Sequence, residues 1–259
     1  MVKAIFFDVD GTLVSHTQKA VSKSTRAALD KLAEKGIKRV LATGRHMLEL
    51  QLLPGSDIPF DGYITLNGQL CLDARKNLLS GSPFTGAEKE AFIRLFKEKA
   101  FPIVLVEKDR FYINFINQQV ETAQYDISTP IPEIGEYTGN DFYLAVVFLD
   151  QEQATKYSHL LTKCKATRWH GFAMDVISAS GGKTEGIKNY LNIHNILPEE
   201  TMAFGDGEND IDMLQFVHTG VAMGNAQERV KACADYVTAS VDEDGIMKAL
   251  TALQIIDSL

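Results

Sequence analysis

With 259 residues and a net charge of −8, the chain is long enough for two modules or one domain enlarged by an insertion. Its acidity argues against nucleic acid or an anionic membrane surface as partner, because both need a basic field. Hydrophobic residues make up 45% and charged residues 23%, the balance of an ordinary globular protein and not of a disordered chain.

Three cysteines, Cys71, Cys164 and Cys233, stand far apart without CxxC spacing, which indicates neither a zinc site nor a disulfide framework and fits a reducing compartment. No apolar run approaches the roughly 18 residues of a membrane helix. The opening residues carry no signal-peptide pattern, so a cytoplasmic location is expected.

The chain opens on Lys3-Ala4-Ile5-Phe6-Phe7-Asp8-Val9-Asp10-Gly11-Thr12. A continuous apolar run ending in two carboxylates and a glycine reads as a buried strand whose C-terminal edge opens onto a site, where doubly wound sheets hold ligands. In an extended chain residues i and i+2 point the same way, so Asp8 and Asp10 are expected to project into one pocket. Two like charges about 4 Å apart at an effective dielectric of about 20 repel by roughly 4 kcal/mol, so a cation or a proton must intervene. Mg²⁺ suits such a place, because it favours carboxylate and carbonyl oxygens and commonly sits between a protein acid and a phosphate. A simple turn after the strand is the plainer use of the same two aspartates.

Ser22 to Lys35 places Ala28, Leu29, Leu32 and Ala33 on one helical stripe, with Gly36 as its stop. Ile37 to Ala42 reads as a second strand, ending in Thr43-Gly44-Arg45 before a Leu-rich helical stretch. That spacing fits a parallel βαβ unit and brings Thr43 to the sheet edge of Asp8. Tyr63 to Leu66 is a third strand, and Asn67-Gly68 signals a two-residue turn with Gln69 to Leu72 as the returning partner.

From about Ser82 the texture changes. Strands are expected at Ile103 to Val106, Phe111 to Phe115, Phe142 to Phe148 and Phe172 to Ile177, with helices near Ala87 to Lys97 and Gln151 to Leu161. This describes a separate small α+β domain whose aromatics, including Phe101, Phe111, Phe115, Phe142 and Trp169, belong to its core.

The βα rhythm returns at Gly182: helix Lys183 to Leu191, strand Met202 to Phe204, helix Asp210 to Phe216, strand Gly220 to Met223, helix Ala226 to Ala232, strand Asp235 to Val237 and helix Asp244 to Leu253. The expected fold is therefore α/β, a doubly wound, mainly parallel sheet core at 1–82 and 180–259, with an inserted α+β domain at 83–179.

Four clusters each fall at a strand end or a helix start: Asp8-Val9-Asp10-Gly11-Thr12, Thr43-Gly44-Arg45, Gly182-Lys183-Thr184 and Gly205-Asp206-Gly207-Glu208-Asn209-Asp210. Asp206 and Asp210 form a second acidic edge, which makes a metal site of what would otherwise be a common turn. Rival motifs fail. A P-loop ending at Gly182-Lys183-Thr184 would need a glycine where Ile177 stands, and a dinucleotide fingerprint from Gly205 would need one at Asp210. The histidines show no metal-ligand spacing, His170 beside Trp169 reads as structural or solvent-facing, and no GxSxG elbow is present.

Taken in order, these clusters resemble the haloacid dehalogenase superfamily, and the α/β insert between the second and third resembles its Cof-type, sugar-phosphatase-like branch. The similarity covers essentially the whole chain. One departure is that members often carry a Ser-Lys-Gly-like run where this chain has Gly182-Lys183-Thr184.

The resemblance implies a phosphoric monoester hydrolase acting on small phosphorylated metabolites, sugar phosphates among them, and an insert that closes as a cap over the phosphate site. Asp8 would attack phosphorus and form an aspartyl-phosphate, and Asp10 would serve as general acid and then general base. Mg²⁺ would bind the Asp8 carboxylate, the Asp10 carbonyl and Asp206, with Asp210 as ligand or support. Thr43 and Gly44, at a helix start, would hold the phosphate together with Lys183 and Asn209. Arg45 would touch the substrate or pair at the surface. Substrate choice is expected to reside in the cap, with the hairpin Trp169 to Phe172 as a candidate contact. The same residues allow a phosphotransferase or mutase, and the fold allows a non-catalytic phosphometabolite-binding protein. The oligomeric state stays open, with a monomer compatible.

Overall fold

In the computed structural model, which describes residues 1–127 and 129–257, Ala4–Phe7 forms strand β1 and every one of its residues is buried. Helix α1 (Lys23–Glu34) follows the expected stripe. Ser22 caps it by accepting from the Thr25 amide at 3.1 Å, a contact worth about 1 kcal/mol. Gly36, at φ 70°, ends it with two closing bonds of 2.9 Å each, its own amide to Ala33 and that of Ile37 to Leu32. Strand β2 (Lys38–Ala42) then runs parallel to β1.

The Leu-rich stretch yields only a four-residue helix, α2 (Met47–Leu50), because turns through Pro54 and Gly55 interrupt it. Strand β3 (Gly62–Thr65) is parallel to β2, β4 (Leu70–Asp73) returns antiparallel to β3, and β5 (Leu78–Gly81) completes that edge. The hairpin expected at Asn67-Gly68 exists, but Thr65 pairs with Leu70. Its loop therefore spans residues 66–69 instead of two.

The chain divides into two compact units, Met1–Ser80 with Lys183–Leu259, and Gly81–Gly182. The second contains α3 (Gly86–Lys97), β6 (Ile103–Val106), β7 (Phe111–Ile113), α4 (Gln118–Asp126), β8 (Leu144–Phe148), α5 (Gln151–Lys156), α6 (Ser158–Leu161), β9 (Cys164–His170) and β10 (Ala173–Ser178). Its strands pair antiparallel in the order β7-β6-β8-β10-β9. Phe84, Phe92, Phe96, Phe101 and Phe142 pack on Ile103, Leu105, Ala145 and Val147.

Burial alone would raise the Glu107 carboxyl, yet hydrogen bonds from Thr138, Asn140 and Tyr112 hold it below its ordinary value. The polar helix α4 and edge strand β9 carry too little apolar periodicity to be read from sequence, and the single helix expected over Gln151 to Leu161 breaks at Tyr157. Trp169 donates to Asp175 at 2.8 Å, and His170 pairs with Asp126 at 3.0 Å.

The first unit resumes with α7 (Lys183–His194), β11 (Thr201–Gly205), α8 (Ile211–Phe216), β12 (Thr219–Ala222), α9 (Glu228–Lys231), β13 (Tyr236–Val237) and α10 (Gly245–Ala252). Its sheet runs β13-β12-β11-β1-β2-β3-β4-β5, parallel from β13 to β3. One core gathers Phe6, Val40, Ile64, Ile187, Tyr190, Leu191 and Ala203. Phe6 meets Tyr190 edge-on at 6.0 Å, and Phe7 stacks on Phe204 at 5.3 Å. Each fully buried phenylalanine contributes about 2–3 kcal/mol. The chain leaves β1 toward β2 on one side and comes back as β11 on the other. The crevice at the carboxyl end of β1 is thus the topological switch point, where such sheets bind ligands.

Candidate active site

Three strand ends deliver the chemistry to that crevice: Asp8 follows β1, Thr43 follows β2 and Asp206 follows β11, while Lys183 opens α7. Asp8 is 7% exposed, Lys183 2% and Asp210 0%. The Lys183 ammonium donates to Asp8 Oδ1 and to Asp210 Oδ1, both at 2.6 Å. Burial opposes the charge on Lys183, but the two carboxylates more than offset it and raise its pKa. Burial and the Asp210 charge push the Asp8 carboxyl well up against the pull of Lys183.

Asp210 ties the loop after β11. Its Oδ2 accepts from the amides of Asp206 at 3.0 Å and Gly207 at 2.9 Å. Both of its oxygens are thus engaged within the protein. Asp206 accepts from the Thr12 hydroxyl at 2.8 Å and from Asn225 Nδ2 at 3.1 Å. Burial, partly countered by Thr12, pushes the Asp206 carboxyl up to about 6.

The extended geometry expected to align Asp8 with Asp10 stops short of Asp10. β1 ends at Phe7, and the Val9 carbonyl accepts from the amides of Leu13 at 3.0 Å and Val14 at 2.8 Å, closing a turn. The two side chains accordingly meet different partners: Asp8 meets Lys183, whereas Asp10 accepts from Arg45 Nε at 2.6 Å and Nη2 at 2.8 Å. Arg45 is therefore neither a detached surface pair nor a solvated side chain. Burial works against its charge, but Asp10, Glu49 and Asp8 raise its pKa.

The phosphate-holding group also differs in one respect. Gly44 does not stand at a helix start, because α2 begins at Met47 with His46 as its cap and is a single turn. Any contact from Gly44 is thus a local hydrogen bond without a dipole behind it. Thr43 is 1% exposed, and its hydroxyl accepts from the Arg45 amide at 3.1 Å. Asn209 donates to Asn67 at 3.0 Å. Sequence reasoning gave Asn67 only a turn and gave Thr12 and Asn225 no role of their own, although Gly224-Asn225 follows a short apolar strand as the other clusters do.

Asp8, Asp206 and Asp210 each offer an oxygen within 4.8 Å of the others. Four carboxylates, Asp8, Asp10, Asp206 and Asp210, face two cationic side chains, Lys183 and Arg45. The carboxyls of Asp8 and Asp206 are both pushed up by burial. A hard divalent cation fits this oxygen-only, under-neutralised donor set.

A cluster of buried carboxylates at the switch point of a doubly wound sheet defines the setting. A family model for haloacid dehalogenase-like hydrolases matches residues 5–250, and the chain belongs to that family. Among solved structures it is similar to BT1666 from Bacteroides thetaiotaomicron, a phosphatase of the haloalkanoate (HAD) superfamily, at 34% identity and TM-score 0.90 over 99% of this chain and 96% of the other. It is similar also to the HAD subclass IIB sugar phosphatase BT4131, at 35% identity and TM-score 0.85 over 98% and 100%. The 5-amino-6-(5-phospho-D-ribitylamino)uracil phosphatase YcsE of Bacillus subtilis (strain 168) is 28% identical over 96% of this chain and 94% of its own length. Among the described residues no helix is long and apolar enough to cross a membrane.

Proposed function

We propose that the protein is a Mg²⁺-dependent phosphatase that hydrolyses small phosphorylated metabolites, sugar phosphates foremost, through an aspartyl-phosphate on Asp8. One observation carries this reading: a buried carboxylate at the end of β1 lies 2.6 Å from a buried lysine and shares its surroundings with two further aspartates. The similarity to BT4131, a sugar phosphatase by name, supports the substrate class.

An Asp8 oxygen attacks phosphorus, a phosphorus–oxygen bond forms, and the bond to the leaving alkoxide breaks as Asp10 supplies its proton. Asp10, then a carboxylate, takes a proton from water. That water attacks the phosphoryl group, releases phosphate and regenerates Asp8. Arg45, which donates to both Asp10 oxygens at 2.6 and 2.8 Å, orients that carboxyl for proton transfer.

Lys183 holds Asp8 in one rotamer and offers positive charge to the incoming phosphoryl oxygens, while Thr43, Gly44 and Asn209 donate hydrogen bonds to them. Asp8, the Asp10 carbonyl and Asp206, with Asp210 in support, would hold Mg²⁺, which would supply further neutralisation of phosphoryl charge. Phosphate release from a panel of sugar phosphates, nucleotides and cofactor phosphates, with and without Mg²⁺, tests the reading. Turnover that survives Asp8→Asn, or no metal-dependent release from any ester, would overturn it.

A further inference from the structure

The loop after β3 reads in sequence as an ordinary Asn-Gly turn, but its backbone is unusual. Leu66 and Asn67, both at φ 53°, precede Gly68 at φ 91°, so three residues in a row occupy left-handed space. Leu66 is a bulky side chain only 2% exposed. A buried leucine in that conformation is an outlier that the surroundings must hold in place.

The surroundings are the phosphoryl site itself. The Leu66 amide donates to the Arg45 carbonyl at 3.2 Å, the Asn67 amide to the Thr43 carbonyl at 2.9 Å, and the Thr43 amide to Ile64 at 2.9 Å. These bonds lace the loop onto Thr43-Gly44-Arg45. The Asn67 carboxamide lies so close over Gly44 that a Cβ there would sit 3.1 Å from Oδ1. The same Oδ1 accepts from Asn209 Nδ2 at 3.0 Å. Gly186, one turn along α7 from Lys183, packs so closely on the loop that a Cβ would lie 3.0 Å from the Gly68 Cα. A single turn thus touches the elements that carry Thr43, Lys183 and Asn209.

We propose that Asn67 is a positioning residue of the phosphoryl site: it orients the Asn209 carboxamide and seats the Thr43–Arg45 loop for a phosphate oxygen. This rests on the phosphatase reading above. Its carboxamide meets Asn209 and covers Gly44, both on the phosphate side of the site, so its effect is expected on phosphate.

The test titrates inorganic phosphate calorimetrically into the full-length, Mg²⁺-saturated protein as wild type, Asn67→Gly, Asn209→Ala and the double variant. Glycine suits the left-handed backbone and removes only the carboxamide, so the fold is retained. Asn67→Gly is expected to weaken phosphate about tenfold, as Asn209→Ala does, with the double variant no worse than either and Mg²⁺ affinity unchanged. Wild-type phosphate affinity in Asn67→Gly, or a double variant that loses the product of both factors, would overturn the proposal while leaving a phosphatase intact. A wild-type protein that neither binds phosphate nor releases it would instead sink the parent reading and the proposal with it.

Discussion

Arg45 grips Asp10 through both a 2.6 Å and a 2.8 Å hydrogen bond, and the same arginine's backbone amide rests on the Thr43 hydroxyl. One residue therefore couples the loop after β2 to Asp10, the proposed proton-transfer group, after β1. Charge-assisted bonds of this kind contribute about 1.5–3 kcal/mol each when shielded, and this pair is partly exposed. Arg45→Ala is expected to lower kcat about ten- to a hundredfold. Arg45→Lys should restore only part of it, since lysine lacks the two-pronged geometry. Steady-state kinetics on the best sugar phosphate of the panel checks this, and an unchanged kcat in Arg45→Ala would show that the grip is incidental.

The buried trio of Lys183, Asp8 and Asp210 separates activity from stability. Asp8→Asn removes the proposed nucleophile but also relieves a carboxylate that burial and Asp210 disfavour. It should abolish turnover while leaving the chelator-treated protein as stable as wild type or more so. Lys183→Met leaves two buried carboxylates without their cation, which costs about 3–5 kcal/mol. Denaturant unfolding in EDTA distinguishes the two; a Lys183→Met protein of wild-type stability would contradict the ion-pair geometry.

Much of this site was legible in the sequence because each cluster follows an apolar run, and an apolar run that ends in acid or glycine marks a strand edge. Asp8, Thr43 and Asp206 reached one edge for that reason, and Lys183 opens its helix as the returning βα rhythm suggested. Contacts between side chains distant in sequence were not legible. Nothing local to Arg45 names Asp10 as its partner, and Thr12 and Asn225 reach Asp206 only once β1, β11 and β12 are side by side. Asn67 was hidden differently. Its neighbour Gly68 gives so strong a turn signal that the carboxamide looked fully explained by it.

Metal affinity should follow the protonation of Asp206. Its folded value of about 6 lies above the ordinary 3.8, so the metal-free fold is favoured by this group below pH 3.8 and loses that contribution as pH rises through about 6. The cation takes the deprotonated form, so Mg²⁺ binding strengthens over the same interval and levels off above it. Calorimetric Mg²⁺ titrations from about pH 5 to 8 should trace this rise; an affinity flat across that range would refute the assignment of Asp206.

Thr12 and Asn225 fix the two oxygens of that carboxylate, and Asn225 also donates to the Gly11 carbonyl at 2.9 Å while accepting from the Val241 amide at 2.9 Å. Partners of this kind typically change metal affinity by about 10- to 100-fold. Asn225→Ala and Thr12→Val are each expected to raise the Mg²⁺ dissociation constant by about tenfold, with phosphate affinity at saturating Mg²⁺ little altered. Equal losses in both affinities would point to general disruption of the loop instead.

Gly11 tests the crowding around the same carboxylate. At φ 79° it occupies left-handed space, and a Cβ there would lie 2.2 Å from Asp206 Oδ2. Gly11→Ala therefore imposes a backbone cost of about 1–2 kcal/mol and also drives Asp206 off its position. Gly36 supplies the control, because it has φ 70° but no atom within 4 Å of its would-be Cβ. Gly36→Ala should lower stability by about 1 kcal/mol and leave Mg²⁺ binding alone. Gly11→Ala should lose at least tenfold in Mg²⁺ affinity at comparable overall fold, as read by circular dichroism and metal titration. Were both variants to bind Mg²⁺ like wild type, Asp206 could not be the side chain on which the cation depends.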